Sequence, residues 1–153
     1  MQIKLICVGD INHKYLREGI NDYKQRIGNF LDLQIIEVYE GKSSDINKNK
    51  KKEAEAIYSH IHNDDYVITL EIEGKNLDSE SLAAFMEQHF TYSPKTLVFV
   101  IGGSDGLGEE VQKRSNFKLS FGKMTFPHQL MRLVLLEQIY RGLMIINHRK
   151  YHK

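Results

Sequence analysis

The sequence predicts an α/β fold, one mainly parallel sheet with helices on both faces. Three observations lead there. β-Branched, apolar runs alternate with amphipathic stretches along the whole chain, which is the pattern of strand–helix–strand units. The run Leu97–Ile101 (LVFVI) is apolar at every position, as in a central strand buried on both sides. That run and a second one, Phe117–Phe121, each release a loop that feeds a helix. In an open parallel sheet, ligands sit where loops leave the carboxyl ends of strands. The two loops are therefore expected to build one ligand pocket.

The elements follow in order. Ile3–Val8 is rich in β-branched residues and ends at Gly9, a first strand. Leu16, Ile20, Tyr23 and Ile27 recur at helical spacing between His13 and Asn29, an amphipathic helix closed by Gly28-Asn29. Leu33–Tyr39 is the second strand. Gly41–Lys52 (GKSSDINKNKKK) is polar and cationic with no apolar face. It reads as an exposed loop running into a helix, the lysine run being its solvated start; an RNA-contacting loop is the sharper alternative. The helix carries Ala54, Ile57, Tyr58 and Ile61. Tyr66–Ile72 is the third strand, ending before Glu73-Gly74-Lys75. Asp78 and Ser79 offer N-cap oxygens to a helix bearing Leu82, Phe85 and Met86.

The last helix opens at Pro127 and is apolar all round from Leu130 to Ile146. A helix on one sheet face needs a single apolar stripe. The excess places this helix either centrally in the monomer or in a twofold homodimer, and the small size of the chain favours the dimer.

The totals bound the class. The 153 residues suit one domain, spanning 1–153. No apolar run approaches the roughly 18 residues of a membrane span, and the start, MQIKLICVGD, lacks a cleavage-site pattern. The single cysteine, Cys7, has no internal partner and apolar neighbours. These features point to the cytoplasm. The net charge of +1 hides an asymmetry: residues 1–94 carry 11 Lys and Arg against 16 Asp and Glu, residues 95–153 carry 10 against 4. A basic C-terminal part fits an anionic partner such as nucleic acid, and equally an acidic half folded alongside it.

The glycine loop, Gly102–Gly108, is a near miss for a dinucleotide fingerprint. Gly103, Gly106 and Gly108 fall in the wrong order, and residues 117–126 contain no Asp or Glu to hold a ribose. A P-loop is absent. Glycines still let backbone approach a ligand closely, though a tight turn alone would also use them. The second loop, Gly122-Lys123-Met124-Thr125-Phe126-Pro127-His128-Gln129, sets two large apolar side chains and a rigid proline at a helix start. Met124 and Phe126 can sandwich a flat ring, and Thr125 can cap the helix. A purely structural reading puts both side chains in the core.

GGSDGLG, SFGKMTFPHQLMRLVLLEQIYR and the terminal YHK resemble the RlmH family of SPOUT-class methyltransferases, and the resemblance extends over the whole chain in length and strand–helix order. It implies a cofactor, S-adenosyl-L-methionine, and no metal. It implies methylation of N3 of a pseudouridine in 23S ribosomal RNA, in the helix 69 region, by a homodimer acting on the ribosome. It also implies a C-terminal trefoil knot, with knot and cofactor site within about residues 97–153. The family's cofactor contacts fall on Leu70, Gly102, Phe121, Gly122, Lys123, Met124, Thr125 and Phe126.

Methyl transfer from a sulfonium is an in-line displacement, so alignment supplies much of the rate. The N3 proton must leave. His128 and His152 are candidate bases, and a positive field from Lys123, Arg132 or Lys153 is the other route. In the tail, Arg149, Lys150 and Lys153 suit phosphates and Tyr151 suits an unpaired base; a frayed terminus is the plain alternative. The competing functional class is a ribosome-associated RNA-binding protein without turnover. A dinucleotide enzyme is disfavoured by the missing acidic residue.

Overall fold

The computed structural model describes residues 1–153. Its elements are β1 (Gln2–Val8), α1 (Lys14–Gly28), β2 (Asp32–Val38), α2 (Ile46–Tyr58), β3 (Tyr66–Asn76), α3 (Ser79–Tyr92), β4 (Leu97–Ile101), α4 (Glu109–Arg114), β5 (Phe117–Ser120) and α5 (His128–Ile146). The five strands form one sheet in the order β2-β1-β4-β3-β5. Every pairing is parallel.

Alternation along the central strands builds two cores. Leu97, Phe99 and Ile101 of β4, with Ile3, Leu5 and Cys7 of β1, face the layer of α1, α3 and α5. Val98 and Val100, with Ile6 and Val8, face α2 and α4. Helices thus cover both faces. All five residues of β4 are buried, which is why that stretch shows no polar alternation.

Part of the apolar surround of α5 is explained within the chain. The helix lies between α1 and α3 on the larger core. Leu133 packs against Gly19, where an added Cβ would come within 3.1 Å of it. On the opposite flank, Gly142 accepts Met86, whose sulfur would lie 3.3 Å from a Cβ there. Every residue of α5 is buried or half-buried. Leu130, Leu133, Val134, Tyr140, Ile145 and Ile146 nevertheless stay only half-buried, so packing within the chain accounts for part of its apolar surface.

Two local expectations are corrected, at β3 and α3, and one is borne out, at α2. The third strand does not stop before Glu73: β3 runs to Asn76, with a register shift that places both Leu70 and Lys75 opposite Leu119. Gly74 permits this, because a Cβ there would stand 2.6 Å from the Lys118 carbonyl oxygen. Helix α2 starts at Ile46, so the lysine run lies within its first two turns; Asp45 caps it by accepting from the Lys48 amide at 3.2 Å. At α3 the cap is Asp78 alone, which accepts from the Ser81 amide at 2.7 Å. The Ser79 hydroxyl instead donates to Gln138 Oε1 on α5.

Candidate active site

The carboxyl ends of β3, β4 and β5 and the start of α5 enclose a cavity of about 660 Å³, within the roughly 300–1,000 Å³ typical of small-molecule sites. One wall is the glycine loop after β4, from Gly102 to Leu107. The facing wall is the loop after β5, from Phe121 to His128. Leu70, the last residue paired before the register shift of β3, and Glu71 and Ile72 within that shift lie between them, and Met131 adds a second α5 residue.

The loop backbones explain the glycines. The Gly106 amide donates to the Gly103 carbonyl at 3.0 Å, closing a tight turn. Gly106 (φ +78°) and Gly122 (φ +114°) are left-handed, and a Cβ on either would meet no protein atom within 4 Å. A side chain there would therefore be strained and would occupy open space at the cavity wall. At Gly102 a Cβ would stand 2.9 Å from the Gly106 carbonyl carbon, so that turn closes only on a glycine.

Glu71, Ser104, Asp105, Thr125 and His128 bring polar side chains to this lining. Glu71 accepts from the Thr69 hydroxyl. The His128 ring lines the cavity, and its Nδ1 is buried without a hydrogen-bond partner. Pro127 precedes α5 with no side-chain cap, so the first-turn amides are left open to an acceptor. Thr125 does not cap the helix as expected, because the Pro127 carbonyl begins the ladder, accepting from the Met131 amide at 2.9 Å.

The structure brings most of the sequence-predicted residues together. Leu70, Gly102, Phe121, Gly122, Met124, Thr125, Phe126 and His128 all line the one cavity. Lys123 does not; its side chain is exposed outside the lining. Met124 and Phe126 are 79% and 37% exposed, so neither is core. They stand at the rim rather than in a closed sandwich.

Arg132 is a correction. It is 1% exposed and lies outside the cavity. Its guanidinium donates to Glu37 Oε2 at 2.6 Å and to the Gly9 carbonyl at 3.0 Å, with Nε unpaired. A cation so neutralised ties α5 to the ends of β1 and β2.

The tail packs against its own chain. The chain leaves α5 through His148, left-handed at φ 54°, with the Arg149 amide bonded to the Met144 carbonyl at 2.9 Å. This closing turn folds the tail back, away from its own cavity. Tyr151 donates to Glu137 Oε1 at 3.1 Å, lies 3.2 Å from the Tyr23 hydroxyl and packs edge-on to Tyr140. Burial, then the Tyr23 bond, holds its hydroxyl far above the ordinary tyrosine range. His152 lies 3.2 Å from an Arg141 nitrogen and 3.6 Å from Glu80. Arg149 sits over the Phe30 ring. Lys150 and Lys153 remain exposed. The terminus is thus docked rather than frayed.

Sequence reasoning missed Glu71 and Ile72. Their place follows from β3 lying beside β5, a neighbour relation that no motif encodes.

A wholly parallel sheet whose carboxyl edge carries a backbone-walled cavity defines a protein of the small-molecule-binding α/β class. Residues 1–152 match the family model described as Predicted SPOUT methyltransferase, and the chain belongs to the SPOUT methyltransferase family. It is 50% identical to the ribosomal RNA large subunit methyltransferase H of Pediococcus pentosaceus and 48% identical to that of Ligilactobacillus salivarius. Each alignment covers 100% of both chains. Among solved structures, a probable methylase family protein from Haemophilus influenzae is similar with a TM-score of 0.54 at 15% identity, over 99% of this chain and 70% of that one. The ribosomal RNA small subunit methyltransferase E of Neisseria gonorrhoeae, solved bound to S-adenosyl methionine, gives 0.51 at 11% identity, over 91% and 65%. These two likenesses are of fold.

Proposed function

We propose that this chain is an S-adenosyl-L-methionine-dependent methyltransferase acting on N3 of a pseudouridine in 23S ribosomal RNA, in the helix 69 region. It works in the cytoplasm, on the ribosome, as a homodimer. The observation that carries this reading is the single cavity between the two loops, in a chain about half identical to large-subunit rRNA methyltransferases along its full length.

The cavity fits the cofactor. Its glycine-rich walls admit a flat base close to the backbone, Met124 and Phe126 offer apolar rim surface, and the uncapped start of α5 suits a carboxylate. Leu70, Gly102, Phe121, Gly122, Met124, Thr125 and Phe126 would hold it, with Lys123 near the mouth. When bound, it supplies an electrophilic methyl: the N3–C bond forms as the S–C bond breaks, and the N3 proton departs. His128, whose ring lines the cavity, is the residue of this protomer that would take it. The tail lies away from its own cavity, so in this reading it completes the partner's site. There Lys150 and Lys153 meet phosphates, and Tyr151, His152 and Arg149 act once undocked. The trefoil threading of the C-terminal segment belongs to the same reading; it is supported by the closure of the loops after β4 and β5 on one space.

Mass spectrometry of ribosomal RNA nucleosides from cells lacking the protein tests it. Loss of 3-methylpseudouridine, restored by the gene, is expected. Unchanged levels would overturn the assignment.

A further inference from the structure

Helix α2 carries charges that its own fold does not use. Lys48, Lys51 and Lys52 share its solvent face and all three are exposed, while Asn49, Glu53, Ala54 and Ile57 form the buried face. No carboxylate pairs with any of these lysines, nor with Lys42 or Lys50, among the ion pairs of the structure. Of the neighbouring acids two are committed elsewhere, and the exposed Glu55 forms no ion pair with the lysines. Asp45 caps the helix, and Glu53 accepts from the Gly41 amide at 2.8 Å. The first turn has no acidic residue, so Lys48 sits at the positive end of the helix dipole, where a cation is unfavourable. Local stability would select the opposite charge, and such a conflict marks a functional site.

The position is equally specific. Residues 1–94 are net acidic, yet the helix that carries this cationic face packs its opposite side onto the glycine loop that walls the cavity. A Cβ on Gly108 would lie 3.3 Å from the Lys50 carbonyl oxygen, and one on Gly103 would lie 3.7 Å from Glu53 Oε1. Tyr58 of the same helix donates to the Glu110 carbonyl at 2.8 Å. Asn49 locks the preceding loop, accepting from the Ser43 amide at 3.1 Å and donating to the Ser43 carbonyl at 2.9 Å. The lysines are thus held on a fixed scaffold beside the site.

We infer that Lys48, Lys51 and Lys52 form a docking surface for the phosphate backbone of the structured RNA that presents the target nucleotide. This rests on the methyltransferase reading above and adds a substrate-contacting face to it. Ammonium groups at i, i+3 and i+4 can follow successive phosphates without reading bases.

The test is steady-state methylation of ribosomes from a strain lacking the enzyme, over a salt series. It compares the wild type, Lys48→Gln/Lys51→Gln/Lys52→Gln, and a charge-matched control, Lys14→Gln/Lys24→Gln/Lys95→Gln. For the α2 triple variant the expected result is a KM raised roughly tenfold with kcat little changed, and a log–log salt slope shallower by about 2 to 3. Its affinity for S-adenosyl-L-methionine should be unchanged by calorimetry, and the control should behave as wild type. An unchanged KM and slope in a turning-over enzyme would overturn the docking surface alone, as would an equal effect of the control. No methylation by the wild type would overturn both this surface and the reading beneath it.

Discussion

The Arg132 guanidinium meets the Glu37 carboxylate at 2.6 Å, joining the first turns of α5 to the end of β2 across the chain. The arginine side chain is 2% exposed and the glutamate 45%. Most of the desolvation therefore falls on the cation, which also relies on the Gly9 carbonyl. Glu37→Gln should destabilise the protein by about 2 kcal/mol, the scale of a hydrogen bond to a charged group. Urea denaturation reads this directly. Arg132→Lys should not restore it, since one ammonium cannot span both acceptors.

At Gly102 the wall of the cavity has no room for a side chain. Gly102→Ala must push the Gly106 backbone outward, and is expected to weaken S-adenosyl-L-methionine binding at least about tenfold, or roughly 1.4 kcal/mol. The melting temperature should hardly move, because the loop lies at the sheet edge. Calorimetry with the cofactor and a thermal melt separate the two effects.

Cys7 lies fully buried in β1, and burial, opposed by Arg132, pushes its thiol up to about 12 from an ordinary 9.0. The folded state thus keeps a proton that the unfolded chain releases. Stability from this group is complete below pH 9 and falls as pH rises from 9 toward 12. Cys7→Ala should flatten that part of the pH–stability curve while lowering stability elsewhere. In the wild type the thiol should react with a disulfide reagent at pH 8 only on unfolding.

Deleting Tyr151–Lys153 should abolish methylation and leave the dimer intact by light scattering. It should also cost about 1–2 kcal/mol, because Tyr151 is packed on Tyr140 and bonded to Glu137. Tyr151→Phe keeps the ring and should lose only about 1 kcal/mol of that. Full activity in the deletion would remove the tail from the reaction.

The sequence carried the five strands and the joint role of the two loops, because β4 declares itself by being apolar throughout and both loops by their glycines. It did not carry the strand order, since parallel neighbours as distant as Ile3 and Leu97 leave no local signature. Arg132, offered by the sequence as one source of a positive field, is paired with Glu37, and only the fold brings that partner to it. The helix fed by the glycine loop, α4, was expected, but its bounds escaped for a related reason. Its six residues bury only Val111, too little to show a period. The fate of the tail depended on Tyr23 and Glu137, far off in the sequence, and could not be read from YHK alone.

The place of β1 between β2 and β4 bears on how the molecule is made. During vectorial synthesis β1 and β2 emerge early and can pair, but the other side of β1 stays open until Leu97–Ile101 leave the exit tunnel. Through that interval Ile3–Val8 presents an unprotected apolar edge, the kind that recruits foreign strands. A nascent chain stalled before residue 97 should therefore be a client for chaperones, and release of β4 should end that dependence.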